Sequence, residues 1–257
     1  MYIKKTYITG KIIEVEKVCS FRYKGKKVQR GPAAQKTPEN MAKINERNAE
    51  KKLRRTINLN FDENAYHLVL TYDPLKRAAN PAGARDDIAK FWRTLKARCK
   101  KAGTVLKYVC VSEYGQRSMH HHAVVDCGLD LKVIQECWPH GRVHSTNLDN
   151  SGDYGRLASY LIKQTNKTYN DPERSVHKKR FCCSKNLIQP EAKIEIVKAD
   201  AWREEPVAPK GYALVKDSVV AGVSDFSGWP FQYYSLIKLE ECNKKSTFNV
   251  AHKVAPC

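Results

Sequence analysis

Three consecutive histidines, His120, His121 and His122, stand in the stretch RSMHHHAVVD (117–126) and are followed at once by small and β-branched residues. Such a run reads as a strand, and side chains on a strand alternate faces. His120 and His122 therefore point one way, while His121 points the other with Met119 and Ala123. The run VLKYVCVSE (105–113) reads as the preceding strand. If the two form a hairpin across residues 114–118, Glu113 ends one strand where His120 begins the next, within cross-strand reach. Two imidazoles and one carboxylate then meet. Such a three-donor set leaves positions open for water and a phosphate oxygen on a metal ion. His67, His140, His144, His177 and His252 read as ordinary core or surface residues.

A second group supplies something for that metal to act with. In LASYLIKQTNK (157–167), Tyr160 and Lys163 stand three apart and share a helix face, with Gln164 and Lys167 one and two turns on. Leu157 and Leu161 lie to one side for packing. A phenol has a pKa near ~10 and is a poor nucleophile at neutral pH. It gains from a nearby cation that favours the phenolate and from a metal polarising the centre it attacks. Lys163 supplies the first; Glu113, His120 and His122 would hold the second.

The elements that must position these groups follow from pattern and punctuation. AYHLVLTY (65–72) is a buried-strand run closed by Asp73-Pro74. RDDIAKFWRTLKARCKKAG (85–103) has Ile88, Phe91, Trp92, Leu95 and Cys99 on one helical face and Gly103 as a stop. After the two strands already described come a short helix, LKVIQECW, the segment PHGRVHSTNL, and a helix over SGDYGRLASYLIKQTNKT with Ser151 or Asp153 as cap. The order strand, helix, strand, strand, helix, strand predicts an α+β fold. Its centre is an antiparallel sheet with helices packed on one face in the split β-α-β manner.

Composition bounds the rest. A chain of 257 residues, 42% of them apolar, can bury one principal core. Its formal charge of +19 predicts an anionic partner, nucleic acid before membrane. No apolar run approaches the ~20 residues needed to span a bilayer, and the N-terminal stretch lacks a signal-peptide core, so a soluble cytoplasmic protein is expected. Nine scattered cysteines without a C-x-x-C pair argue against a zinc ribbon or a disulfide scaffold. Cys110, Cys127 and Cys137 read as small core residues. Residues 1–60 hold sixteen Lys/Arg against five Asp/Glu, densest in RYKGKKVQRG and KKLRR, and are expected to form a basic arm that contacts phosphates. Within it, Thr37 and Pro38 predict a helix start, and Glu39 to Glu50 ahead of Lys51 to Arg55 suits the helix dipole.

Taken together, the His-x-His strand, SEYG before it and YLIK after it as Tyr-x-x-Lys resemble the HUH endonuclease superfamily. More narrowly, they resemble the rolling-circle replication initiators of phages and plasmids. HLVLTY, WPHGRV and RFCCSKNLIQP (180–190) are similar to further stretches of those proteins. The resemblance spans roughly residues 60 to 190. It implies three regions: a basic extension at 1–60, a nicking domain of ferredoxin/RRM-like HUH fold at 61–190, and a C-terminal extension at 191–257.

It also implies an activity. Tyr160 would attack a phosphate in single-stranded or origin-hairpin DNA, forming a 5′-phosphotyrosyl link and freeing a 3′-hydroxyl primer, and the strand would later be rejoined. Lys163 would steer the nucleophile or the phosphate. Mg or Mn would sit on Glu113, His120 and His122, although imidazole accepts zinc equally. Arg156, Lys167, Arg180 and Lys185 are the expected DNA contacts. The setting implied is the cytoplasm of a bacterial host, with a host helicase and polymerase as partners, because no G-x-x-x-x-G-K-[ST] sequence occurs. Where some phage initiators carry a second tyrosine, this chain has Gln164. Termination then calls for a second protomer in a homodimer, a hydrolytic step or a second use of Tyr160.

Two other classes fit the same residues. A non-catalytic binder of origin DNA or RNA would keep full activity on Tyr160→Phe, whereas the nicking reading loses its adduct. A single-tyrosine transposase or relaxase would share the chemistry. In the C-terminal region, Trp229, Tyr233 and Tyr234 are expected to pack a core or an oligomer contact, with base stacking as the alternative.

Overall fold

Alternating burial sets the first hairpin, β1 (Tyr2–Thr9) with β2 (Ile12–Cys19), whose inward Tyr2, Ile3, Ile12 and Val15 are buried. The structure, a computed structural model, describes residues 2–20, 37–114, 119–169, 179–198, 202–224 and 227–239. The basic stretch RYKGKKVQRG lies outside these. Helix α1 (Pro38–Asn60) starts as its sequence predicts: the Thr37 hydroxyl accepts from the Asn40 N–H at 3.2 Å, and Pro38 occupies the first turn. Its end differs from expectation. The helix runs on through TINLN, so the KKLRR cations fall mid-helix and none lies in the last turn.

The elements that follow match the sequence pattern closely. They are β3 (Tyr66–Thr71), α2 (Pro81–Lys101), β4 (Lys107–Tyr114), β5 (Met119–Asp126), α3 (Leu131–Glu136), β6 (Val143–Asn147) and α4 (Gly155–Tyr169). Helix α2 begins four residues before the expected Arg85, because Asn80 caps the Gly83 N–H at 2.9 Å and Pro81 fits the first turn. With the two-residue β7 (Cys182–Cys183), these strands form one antiparallel sheet in the order β6-β3-β5-β4-β7. Strand β5 lies between β3 and β4, which α2 connects.

Helices cover both faces of this sheet rather than the single face expected. Leu68, Leu70, Ala123 and Val125 pack with Phe91 and Leu95 of α2 and Ile134 of α3. On the other side Val109, Val111 and Val124 pack with Leu53 and Ile57 of α1 and Leu161 and Ile162 of α4. Fully burying a side chain of this size contributes about 1.5–3 kcal/mol. Helix α1 covers the second face because Leu53 and Ile57, four apart, form an apolar stripe inside a mostly polar sequence. Cys110, Cys127 and Cys137 are buried in the core, as expected.

A second antiparallel sheet joins the two ends of the chain in the order β8-β1-β2-β10-β9, with β8 (Ala192–Val197), β9 (Tyr212–Val223) and β10 (Pro230–Lys238). The first sixty residues are thus strand and helix rather than a free arm. The sheet is tied to α1 through ions. Glu14, fully buried, accepts from Arg54 Nε at 2.6 Å and Arg55 Nε at 2.7 Å, while Glu16 accepts from Arg55 at 2.8 Å and Lys51 at 2.9 Å. Arg55 lies 3.5 Å over the Tyr7 ring, and Arg54 donates to the Tyr233 hydroxyl. Burial alone would raise the Glu16 carboxyl; Lys51 and Arg55 outweigh it and hold the group below the usual carboxylate range. The KKLRR run, expected to contact phosphates, is here an internal counter-charge: Lys51, Arg54 and Arg55 are spent on Glu14 and Glu16.

Candidate functional site

Strand alternation divides the three histidines as the sequence predicts. His121 is fully buried on the α2 face, where its Nε2 lies 3.0 Å from the Tyr72 hydroxyl and its Nδ1 2.7 Å from Ser112 Oγ. Burial and the hydrogen-bonded Asp87 carboxylate push the Tyr72 phenol up. A carboxylate only accepts, so the Tyr72 proton goes to Asp87 and the Tyr72 oxygen accepts from His121 Nε2–H. The Nδ1 of neutral His121 then accepts from Ser112. This clamp joins the end of β3 to β4 through β5 and fixes the strand that carries the other two imidazoles.

On the opposite face, the ladder lines up three polar rows. Thr71, His120 and Glu113 are neighbours across β3, β5 and β4; Val69, His122 and Val111 form the next row; His67 lies on the same side of β3, two residues from Val69. The loop carrying WPHGRV finishes this end of the sheet. Thr71 N–H donates to Arg142 O at 2.9 Å and Asp73 N–H to His140 O at 2.8 Å. Gly141 sits so close that a Cβ there would lie 2.2 Å from Thr71 O, which only glycine permits.

Helix α4 lays Tyr160 on these imidazoles. Its ring centroid lies 5.5 Å from His122 and 6.3 Å from His67, edge-on to both, and His67 stacks on His122 at 5.8 Å. Tyr160 is 43% exposed, so a ligand can reach it. Farther along, Thr168 Oγ1 accepts from the Tyr114 N–H at 2.9 Å, so the helix runs from Tyr160 toward the tip of the β4–β5 hairpin. Lys163 is exposed on the intervening turn.

The face carries unsatisfied nitrogen. His120 Nδ1, His122 Nδ1 and His67 Nε2 are buried and make no hydrogen bond to the protein. Burial, with His67 and His120 nearby, pushes the His122 imidazole down to about 4, and burial lowers His67 as well. Neutral imidazoles of this kind are ready to bind a cation without first losing a proton. Among the described residues, no three His, Cys, Asp or Glu side chains already converge closely enough to form a metal group. Glu113 pairs with His120 in register, and His122 follows two residues on. The donor chemistry fits a divalent ion, with side-chain adjustment needed to bring the third donor in.

The expected DNA contacts do not form one surface. Arg156 is exposed on α4, the helix of Tyr160. The Lys167 side chain lies outside the described residues. Arg180 is buried, donating to Asn166 and lying 4.4 Å over the Tyr169 ring, so it braces the end of α4 rather than facing a ligand. Lys185 is exposed on the segment after β7, at the edge of the opposite face. His67 is the residue that sequence reasoning passed over. The signal was present, because Leu68 and Leu70 face α2 and period two places His67 with His120 and His122.

An α+β unit with a histidine-lined sheet face and a tyrosine helix across it is the class these elements define. Residues 65–168, from the start of β3 almost to the end of α4, match the family model for the replication-associated protein known as ORF2 or gene 2 protein. The match encloses the histidine strand and Tyr160 and supports a role in replication. No curated protein and no solved structure matches the chain. Among the described residues, no helix is long and apolar enough to cross a membrane.

Proposed function

We propose that this chain is a replication initiator of the HUH type, a nickase and strand transferase for single-stranded or origin-hairpin DNA. The observation that carries the reading is the approach of Tyr160 to His122 and His67 across the sheet face. The β3-α2-β4 connection with β5 inserted supports the split β-α-β arrangement that such enzymes require.

In this mechanism the Tyr160 oxygen, giving up its proton, forms a bond to the scissile phosphorus as the bond to the 3′-oxygen breaks. The 3′-oxygen takes up a proton and leaves as the primer hydroxyl. Lys163 favours the phenolate and the incoming phosphate by charge. His120, His122 and Glu113 are the residues that would hold Mg or Mn, and the ion when bound supplies charge that polarises the phosphate. The phosphodiester energy is kept in the phosphotyrosyl link, so attack by a 3′-hydroxyl rejoins the strand without ATP. Gln164 in place of a second tyrosine leaves Tyr160 as the single nucleophile over the histidine face. The cytoplasm of a bacterial host, with its helicase and polymerase, is the matching setting.

The test is incubation with Mn and a pool of single-stranded oligonucleotides tiled across the DNA flanking the gene, followed by denaturing electrophoresis. A covalent adduct that requires Mn and disappears in Tyr160→Phe is expected. No adduct across the pool, or one that survives Tyr160→Phe, refutes the assignment and favours a non-catalytic binder.

A further inference from the structure

We infer that the chain carries a second binding groove for single-stranded DNA, on the sheet face opposite Tyr160, between α2 and the β4–β7 edge. The inference rests on the replication reading only for the choice of DNA. The groove has a volume of about 1110 Å³ and no acidic residue in its lining. Arg93, Lys96 and Lys100 line it from α2, all exposed, at spacings of three and four residues that place them on one side of the helix. Lys185 lines it from the segment after β7. None of these four cations has an ion-pair partner among the described residues. This contrasts with the KKLRR cations, which Glu14 and Glu16 offset.

The lining also holds an aromatic platform. Trp92 and Tyr108 stack with centroids 3.9 Å apart and planes within 5°. The Trp92 ring is almost wholly buried, yet its indole N–H meets no acceptor in the protein. Tyr108 is half-buried. Side chains on β4 alternate, so Tyr108 faces α2 while Val109 and Val111 pack under α4. The groove is therefore separate from the Tyr160 site and joined to it only around the β4–β7 edge. Unpaired cations beside a stacked aromatic pair are what binds a single strand without reading its sequence: the cations take phosphates and the rings take a base. An acidic peptide would satisfy the cations but has no use for the aromatic pair.

The experiment measures binding of a labelled oligothymidylate, and of an abasic strand of equal length, to the full chain over a salt series. Lys96→Ala with Lys100→Ala should lower the slope of log affinity against log salt by about 1.4, at about 0.7 per cation on a single strand. Lys210→Ala with Lys216→Ala, on and beside β9, removes the same charge and should leave the slope unchanged. Tyr108→Leu should cut the preference for bases over the abasic strand by about tenfold. Equal slopes for the two double variants overturn the groove, as does tighter binding of an acidic peptide than of the oligonucleotide. Because Lys96, Lys100 and Tyr108 are not near Tyr160, the Mn-dependent adduct reports on the nicking reading independently. An adduct without the slope change refutes the groove alone.

Discussion

Replacing Glu14 by glutamine isolates the contact that holds the two sheets together. The Glu14 side chain is wholly buried and receives Arg54 Nε and Arg55 Nε at 2.6 and 2.7 Å, and Arg55 itself is 7% exposed. Glutamine keeps the volume but removes the charge and turns one acceptor oxygen into a donor facing guanidinium. Arg55 retains Glu16 at 2.8 Å; Arg54 retains only the Tyr233 hydroxyl and ring. Removing one partner of a buried pair costs about 3–5 kcal/mol, because the desolvated charge left behind has no compensation. Set against a total stability of about 5–15 kcal/mol, that is a large fraction, and it corresponds to a fall in Tm on the order of 10 °C for a chain of this size. Urea and thermal melts followed by circular dichroism measure it. Hydrogen exchange should show the loss first in β1, β2 and the middle of α1. A triple change, Glu14→Leu with Arg54→Met and Arg55→Met, should recover most of the loss, since apolar packing can replace an ion cluster of equal volume. A Glu14→Gln cost under about 1 kcal/mol, with unchanged exchange in α1, would refute the view that these charges act as an internal tie.

Further outcomes follow from the site. Acid should destabilise the fold through His122: above its unfolded pKa near 6.5 both states are neutral, and as pH falls toward about 4 only the unfolded chain takes the proton. Stability is thus lost across that window by about 3 kcal/mol, and urea midpoints should follow a shallower pH slope in His122→Gln than in the parent. His121→Leu leaves the Ser112 and Tyr72 hydroxyls without their buried partner and should cost about 2 kcal/mol; an unchanged urea midpoint contradicts the clamp. Gly141→Ala should destabilise the β3–β6 turn and shift the amide resonances of Thr71 and His120, as the new methyl meets Thr71 O. A spectrum identical to the parent removes the close approach as a constraint.

How much of this was legible in the sequence depended on distance along the chain. The β5 alternation that separates His121 from its neighbours, the Thr37 cap and the α2 stripe are local periodicities, and each is found where the pattern puts it. The second sheet was not legible, because β2 pairs with β10 across more than two hundred residues and neither strand signals its partner. The same applies to KKLRR. A run of cations reads as a phosphate contact until Glu14 and Glu16, some forty residues away, are seen to fold onto it. Arg180 was misread for the same reason, since Asn166 and Tyr169 enclose it only after the chain has turned back on α4. His67 differs: its alternation with Leu68 was local and sufficient, but a lone histidine in a strand draws attention only when a partner strand supplies company.

The net charge of +19 says that something anionic is met but not where. Three cations of the densest described basic run are offset by two buried carboxylates, so that run contributes little field outside the protein. The uncompensated positive charge sits instead on two helices that cover opposite faces of one sheet: α2, with Arg93, Lys96 and Lys100, and α4, with Arg156 and Lys163. A strand drawn to the first face meets aromatic rings and no nucleophile, whereas one drawn to the second meets Tyr160 above neutral imidazoles. Holding and cutting are thereby assigned to different surfaces, and the order of strands in the sheet keeps them apart.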